Sequence, residues 1–425
     1  MSLKVGAARS VIEIPNDFFP REGFDGIHDS LYSKALIIDN GICRTALVVV
    51  DVTSMSEYDV NLRKELVSRD CGADISNIFI CASHTFSAPH NLPAFMLVTD
   101  EDKEKDDALR KAINDSIHSS VTSAANSIQP AKIGFAYGKC SVNVNRDILT
   151  AQGWWKGSNE QGISDKDVAV IKFESIDGKT LAIFMNYAVQ SSIMNESVME
   201  NGGKLVTSDL CGAAASFVES QYANETVALF SIGAAGDQEP YLTSNRHIID
   251  KNKQFSRKDI HHEGFVLVEL LGERLGSEVV RVSELIECKE AQIPLCVVSD
   301  TIRCKGQLIP GNIHDIHPSK KYDYQIKDEH DVPIWIMLIG DIALVGLQVE
   351  LSSKTGLSIK QKSPFPKTII MTMVNGSAKY MADAESYDRI TYEAMNSMFA
   401  QGSAEKVEDK IISMLNNLQA GSIEN

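Results

Sequence analysis

Five side chains with usable chemistry stand where apolar, strand-like runs give out. They are His84 after Ile78-Phe79-Ile80, Gln190 after the run from Leu181 to Val189, and Asp237 after Val227 to Ile232, then Glu350 after Ile342 to Leu347 and Tyr380 after Thr368 to Val374. In an α/β sheet, ligands collect at the carboxyl ends of strands, because the strands fix position while the loops leaving them are free to vary. An imidazole in such a place can bind a metal or move a proton. Paired acids such as Asp237 and Glu239 can raise one another's pKa and supply a general base.

Each residue also has a plainer reading. His84 could hydrogen-bond the turn formed by Thr85 and Ser87, and the acids of Gly233-Ala234-Ala235-Gly236-Asp237-Gln238-Glu239-Pro240 could be solvated on a tight turn. Arg146, read as part of a loop from Val142 to Asp147, either anchors an anionic or carbonyl group through its guanidinium fork or joins a salt bridge. Asp51, which closes the run Thr45 to Val50, either caps the next helix or belongs to the site. The adjacent His261 and His262 point about 100° apart on a helix and so form no joint metal site; they read as surface residues.

The elements that must position these groups follow from apolar periodicity and turn chemistry. Hairpins are expected at 31–50 through Asn40-Gly41, at 168–189 through Asp177-Gly178, and at 334–347 through Gly340-Asp341. Helices are expected over 57–70, 103–128, 210–219, 259–286, 352–360 and 403–418, the third with an N-cap in Thr207-Ser208-Asp209. The stretch 288–333, with Pro310, His314 and His317, reads as a polar, strand-like excursion. The fold class is therefore α/β, with mixed β-sheets covered by helices, and no linker or repeat divides residues 1–425 into more than one domain.

Composition excludes several functions. The chain has 425 residues, 44% of them hydrophobic and 23% charged, which is ordinary globular material. With 41 basic and 57 acidic residues the formal charge is −16, against the basic face that a nucleic acid requires. No window is long and apolar enough for a membrane span, and Met1 leads into a strand-like segment without the apolar core of a secretion signal. The eight cysteines are never spaced C-x-x-C and read as small buried hydrophobes in a reducing cytoplasm.

The order of the strand ends resembles the N-terminal catalytic domain of the neutral/alkaline non-lysosomal ceramidase family, a group of zinc-dependent amidases. The likeness rests on Gly26-Ile27-His28-Asp29-Ser30-Leu31-Tyr32, Ser83-His84-Thr85-Phe86-Ser87-Ala88-Pro89, Asn145-Arg146 and Asn186-Tyr187-Ala188-Val189-Gln190. It continues through Ser208 to Gly212, Gly233 to Pro240, Gly346-Leu347-Gln348-Val349-Glu350, and Asn375 to Glu393. The resemblance implies one zinc ion held by His84, Gln190, Glu350 and Tyr380, with Tyr387 as competitor for the last place. It implies substrate contacts from Arg146 and Phe86, and leaves Asp237 and Glu239 as the catalytic acids. Gln190 stands where the family has a ligand histidine and Phe86 where it has a second histidine, so the metal is expected to be weakened, replaced or lost. The expected activity is hydrolysis of an amide or ester by metal-bound water, on a small polar substrate rather than ceramide. The alternative is a metal-free relative that binds a ligand, for instance a carbohydrate, without turnover. A small molecule is the expected partner, and homo-oligomerisation is left open.

Overall fold

The computed structural model describes residues 2–289, 293–311 and 315–423. Two sheets carry the architecture. In the larger, the strands run Val227–Ile232, Thr180–Tyr187, Asp167–Ser175, Gln129–Lys139, Lys4–Val11, Tyr32–Asp39, Arg44–Val50 and Ile78–Ala82 from edge to edge. Only the outermost pair at each edge is parallel. These parallel edge strands are the ones whose carboxyl ends lead to Gly233 and His84. The second sheet orders Leu295–Gln307, Ile326–Ile339, Ile342–Leu347 and Lys367–Met371, with the last pair again parallel.

The two sheets face each other. Val5, Leu36, Leu47, Phe79, Phe173, Phe184 and Leu229 of the first share one apolar cluster with Leu295, Met337, Leu344, Ile369 and Met371 of the second. The outer face of the large sheet buries Val48, Val50, Ile80 and Val170 beneath the helices Glu57–Cys71, Asp100–Asn126, Asp209–Gln221 and Gly264–Leu285. The outer face of the smaller sheet packs on Ser353–Lys362 and Ser403–Ile423. The result is four layers, helix on sheet on sheet on helix. It explains why the central strands are apolar on both faces.

Several sequence expectations change. The polar stretch after 288 is strand-like as read but not an excursion: Leu295–Gln307 pairs along its length with Ile326–Ile339, giving Leu295 and Val297 to one apolar cluster and Cys296, Val298, Ile302 and Cys304 to another on its opposite face. His314 lies outside the described residues. The Asn-Arg segment is a strand, Asn143–Leu149, between Gln238–Pro240 and Trp154–Asn159. The long helix begins at Gly264, since Phe255–Asp259 pairs with Asn245–Ile249 first. Asp51 neither caps a helix nor reaches the site: it accepts from the Tyr32 amide at 2.9 Å, and Ser56 caps the following helix. In Thr207-Ser208-Asp209 the Ser208 hydroxyl donates to Asp29 rather than capping, while the Asp209 carboxylate accepts from the amides of Ile193 and Met194. All eight cysteines are free thiols. Among the described residues no helix is long and apolar enough to cross a membrane.

Candidate functional site

His84 follows the edge strand Ile78–Ala82 with φ 64°, a left-handed turn of the backbone that swings its ring off the sheet. Its Nδ1–H donates to the Thr53 carbonyl at 2.5 Å, and Nε2 stands 3.2 Å from Oε2 of Glu350. A carbonyl only accepts, so Nδ1 carries hydrogen, and the contact to Glu350 is a hydrogen bond when one proton lies between the two groups. The parallel pairing of Glu350–Leu351 with Tyr380–Met381 puts Glu350 and Tyr380 side by side. Gln190 completes the group, donating from Nε2 to the same Glu350 oxygen at 3.0 Å. Gly236 belongs here for a steric reason: a Cβ on it would lie 2.7 Å from the Glu350 carbonyl oxygen, so only glycine lets the loop pass.

Arg146 ties this group to the next strands. It is 3% exposed, donates from Nη1 to Gln190 Oε1 at 3.0 Å and from Nε to Glu393 Oε1 at 2.5 Å, and has Glu239 3.6 Å from Nη1. Its guanidinium lies 5.2 Å from the Tyr380 ring centre and 5.4 Å from that of Tyr392. Burial alone would lower its pKa, but Tyr380, Glu393 and Glu239 outweigh that and hold it well above its ordinary value. Beneath it, burial and then Glu393 raise the Asp147 pKa well above the usual carboxylate range, while Arg146 overcomes burial and holds Glu393 low, so of this pair Asp147 is the acid that holds a proton more readily.

Above these groups lies a cavity of about 220 Å³. Phe86, Arg146, Gln190, Glu239, Tyr380 and Tyr392 form its inner wall, and Lys156, Ser192, Asn195, Asn245, His247 and Arg257 are among its outer lining. Two buried donors of lining residues, Nη2 of Arg146 and Oγ of Ser192, have no hydrogen-bond partner among the described residues. Buried polar groups are normally satisfied, so an orphaned pair on a cavity wall calls for a ligand that accepts hydrogen bonds.

The structure therefore brings together His84, Gln190, Glu350, Tyr380, Arg146, Phe86 and Glu239. His84 and Glu350 lie behind the inner wall rather than on it, with the Phe86 ring 4.6 Å from that of His84. Asp237 is turned away: its carboxylate accepts from the Ser353 amide at 2.8 Å, the Ser353 hydroxyl at 3.0 Å and Asn145 Nδ2 at 3.0 Å. Burial pushes its pKa up to about 6. Tyr387 is also elsewhere, its hydroxyl donating to the Phe399 carbonyl at 2.5 Å. Sequence reasoning passed over Lys156 and gave no site role to Ser192, Tyr392, Glu393 or Asp147, although Ser192 closes the polar end of the strand before it and Tyr392-Glu393 end the last segment of the family likeness. Lys156 follows two tryptophans in a segment without a pattern of its own, and nothing short of the strand pairing brings it to the cavity.

The fit of a zinc ion can be tested on the donors themselves. A catalytic zinc site takes three protein ligands drawn from imidazole, thiolate and carboxylate, and here only His84 and Glu350 qualify. Gln190 turns its NH2 toward Glu350 and gives its oxygen to Arg146. Burial, then the Glu350 carboxylate, push the Tyr380 phenol well above its usual range, so it stays protonated. Among the described residues no group of three or more His, Cys, Asp or Glu side chains is gathered for a metal. The donor set does not fit zinc.

A two-sheet core with helices outside and a polar cavity at the ends of parallel edge strands defines a four-layer α/β scaffold. Residues 20–259 match the family model "Neutral/alkaline non-lysosomal ceramidase, N-terminal", and the chain belongs to that family. The match covers His84, Arg146, Gln190 and Glu239 but stops short of Glu350, Tyr380 and Glu393. Among solved structures, the neutral ceramidase from Pseudomonas aeruginosa is similar with a TM-score of 0.75 at 16% identity, over 99% of this chain and 75% of that one. A ceramidase described as complexed with C2 gives 0.76 at 16% identity, over 99% and 76%. At that identity the likeness establishes the fold alone.

Proposed function

We propose that this chain is a ceramidase-like hydrolase that cleaves an amide or ester bond in a small polar substrate. The observation that carries the proposal is the orphaned Nη2 of the buried Arg146 on the wall of the cavity, with the neutral Tyr380 phenol and the Glu239 carboxylate on the same wall. A carbonyl oxygen placed against Nη2 would be polarised by a fixed cation, and charge developing on it would be stabilised without any reorganisation. Glu239 would take a proton from the attacking water and return it to the departing amine or alcohol, so that one water is consumed per bond broken. His84 and Glu350, from behind, hold Gln190 and through it the guanidinium. Asp237 fixes the loop that carries Glu239. Because the donors do not fit zinc, no step is assigned to a metal-bound water. The cavity's size and polar wall suit a small substrate better than a long acyl chain.

A second reading is ligand binding without turnover, favoured by the position of His84 and Glu350 behind the wall. The test is a panel of small N-acyl amides and esters, with release of amine or alcohol measured for the wild type, Glu239→Gln and Tyr380→Phe. Turnover that falls at least about 100-fold in Glu239→Gln fits the loss of a general base. Absence of turnover across the panel, with binding retained, favours the second reading.

A further inference from the structure

The outer part of the cavity holds a charge that the hydrolytic proposal does not use. Lys156, on the strand Trp154–Asn159, lies with its Nζ 4.5 Å from the ring centre of Tyr392. Among the described residues it makes no hydrogen bond or ion pair, whereas Arg257 beside it on the lining is paired with Glu196. Lys156 is a mostly enclosed ammonium, and burial lowers its pKa. Burial, then Lys156 and Arg257, depress the nearby His247 to about 4 against the opposing pull of Glu196, so at neutral pH that ring adds no charge. Ser192, 5% exposed, adds the second orphaned donor on the same wall. The carboxylates of Glu239 and Glu196 on the same lining act on this ammonium from beyond ion-pair distance, so its three donors stay open to an oxyanion that enters the cavity.

We propose that this outer wall is an anion subsite, in which Lys156 and the Ser192 hydroxyl hold a carboxylate or phosphate group of the substrate while its scissile carbonyl lies at Arg146. This rests on the cavity being the substrate site, and it names the substrate class: a small acyl amide or ester that carries an acidic group. The Tyr392 ring under the ammonium holds Lys156 in place through cation–π attraction.

Isothermal titration of the full chain with inorganic phosphate and with acetate, at low ionic strength, tests the subsite without requiring turnover. Saturable binding of at least one is expected, and which one binds tells phosphate from carboxylate. Lys156→Met should weaken that binding about 10- to 100-fold, the range for losing a hydrogen bond to a charged group, and Ser192→Ala about threefold to tenfold. Lys367→Met, which removes a lysine that does not line the cavity, should leave it unchanged. If Lys156→Met does not fold, Lys156→Arg, which retains the charge, is expected to bind within about threefold of wild type, and Ser192→Ala carries the loss. Binding of neither anion, or equal binding by wild type and the Lys156 and Ser192 variants, overturns the subsite. Anion binding without hydrolysis of any amide or ester would overturn the hydrolytic proposal and leave the subsite standing.

Discussion

Arg146 sits on the strand Asn143–Leu149 and Asp237 just before its neighbour Gln238–Pro240, close enough that the Arg146 amide donates to the Asp237 carbonyl at 2.9 Å. Both are buried charged residues that follow strand-like sequence, and both looked alike as candidates for the site. They differ in what remains after their internal bonds are made. Both Asp237 oxygens are used by Ser353 and Asn145, so its carboxylate stitches the loop to the start of a helix. Arg146 bonds Glu393 and Gln190 and, among the described residues, still has one nitrogen without a hydrogen-bond partner, on a side chain that lines the cavity. Burial and charge thus do not distinguish a structural from a functional residue; the leftover valence does.

The largest expected effect is at Arg146. Arg146→Ala leaves Glu393 buried without its cation, and removing one partner of such a pair costs about 3–5 kcal/mol. Urea unfolding checks this, and a loss below about 1 kcal/mol would mean that Glu393 finds another partner or protonates cheaply.

Gln190→His asks whether the floor can be turned into a metal site. The substitution removes the amide from Glu350 and sets a second imidazole near His84. Zinc affinity measured by titration should rise at least about tenfold, equivalent to about 1.4 kcal/mol. Unchanged affinity would show that position 190 does not face the point where His84 and Glu350 converge.

At Asp237 the expected change is confined to stability. Asp237→Asn should cost roughly 0.5–2 kcal/mol, as for loss of a helix-start acceptor, and leave anion binding unaltered. The folded-state pKa of about 6 lies above the ordinary carboxylate value of 3.8, so the folded state binds more protons between them. Wild-type stability from this group therefore falls as pH rises from about 4 to about 6, and the variant lacks that slope. Unfolding measured across this window should show the gap between the two proteins narrowing as pH rises; a widening gap would contradict the raised pKa. Changed anion binding in the variant would erase the contrast with Arg146.

The smallest effect pairs two tyrosines. Tyr387→Phe should lose about 0.5–1.5 kcal/mol of stability, the net worth of its hydrogen bond to Phe399, with turnover intact. Tyr380→Phe should reduce turnover with little change in melting temperature. The reverse pattern would exchange their roles.

The sequence by itself determined the α/β class, most of the strands and helices, and the list of strand ends. Alternation, apolar runs and Asn-Gly or Asp-Gly turns specify strands and hairpins locally, since each signal lies within a few residues of the element it defines. The meeting of His84 with Glu350, 266 positions apart, was also foreseeable, because both close buried strands of one domain. What only the tertiary structure decided is which polar atoms are left over. That Asp237 spends its carboxylate on Ser353, that Gln190 is clasped between Arg146 and Glu350, and that Lys156 arrives at the cavity at all depend on ladders joining distant segments. Hydrogen-bond satisfaction is a property of the packed whole, and no local pattern encodes it.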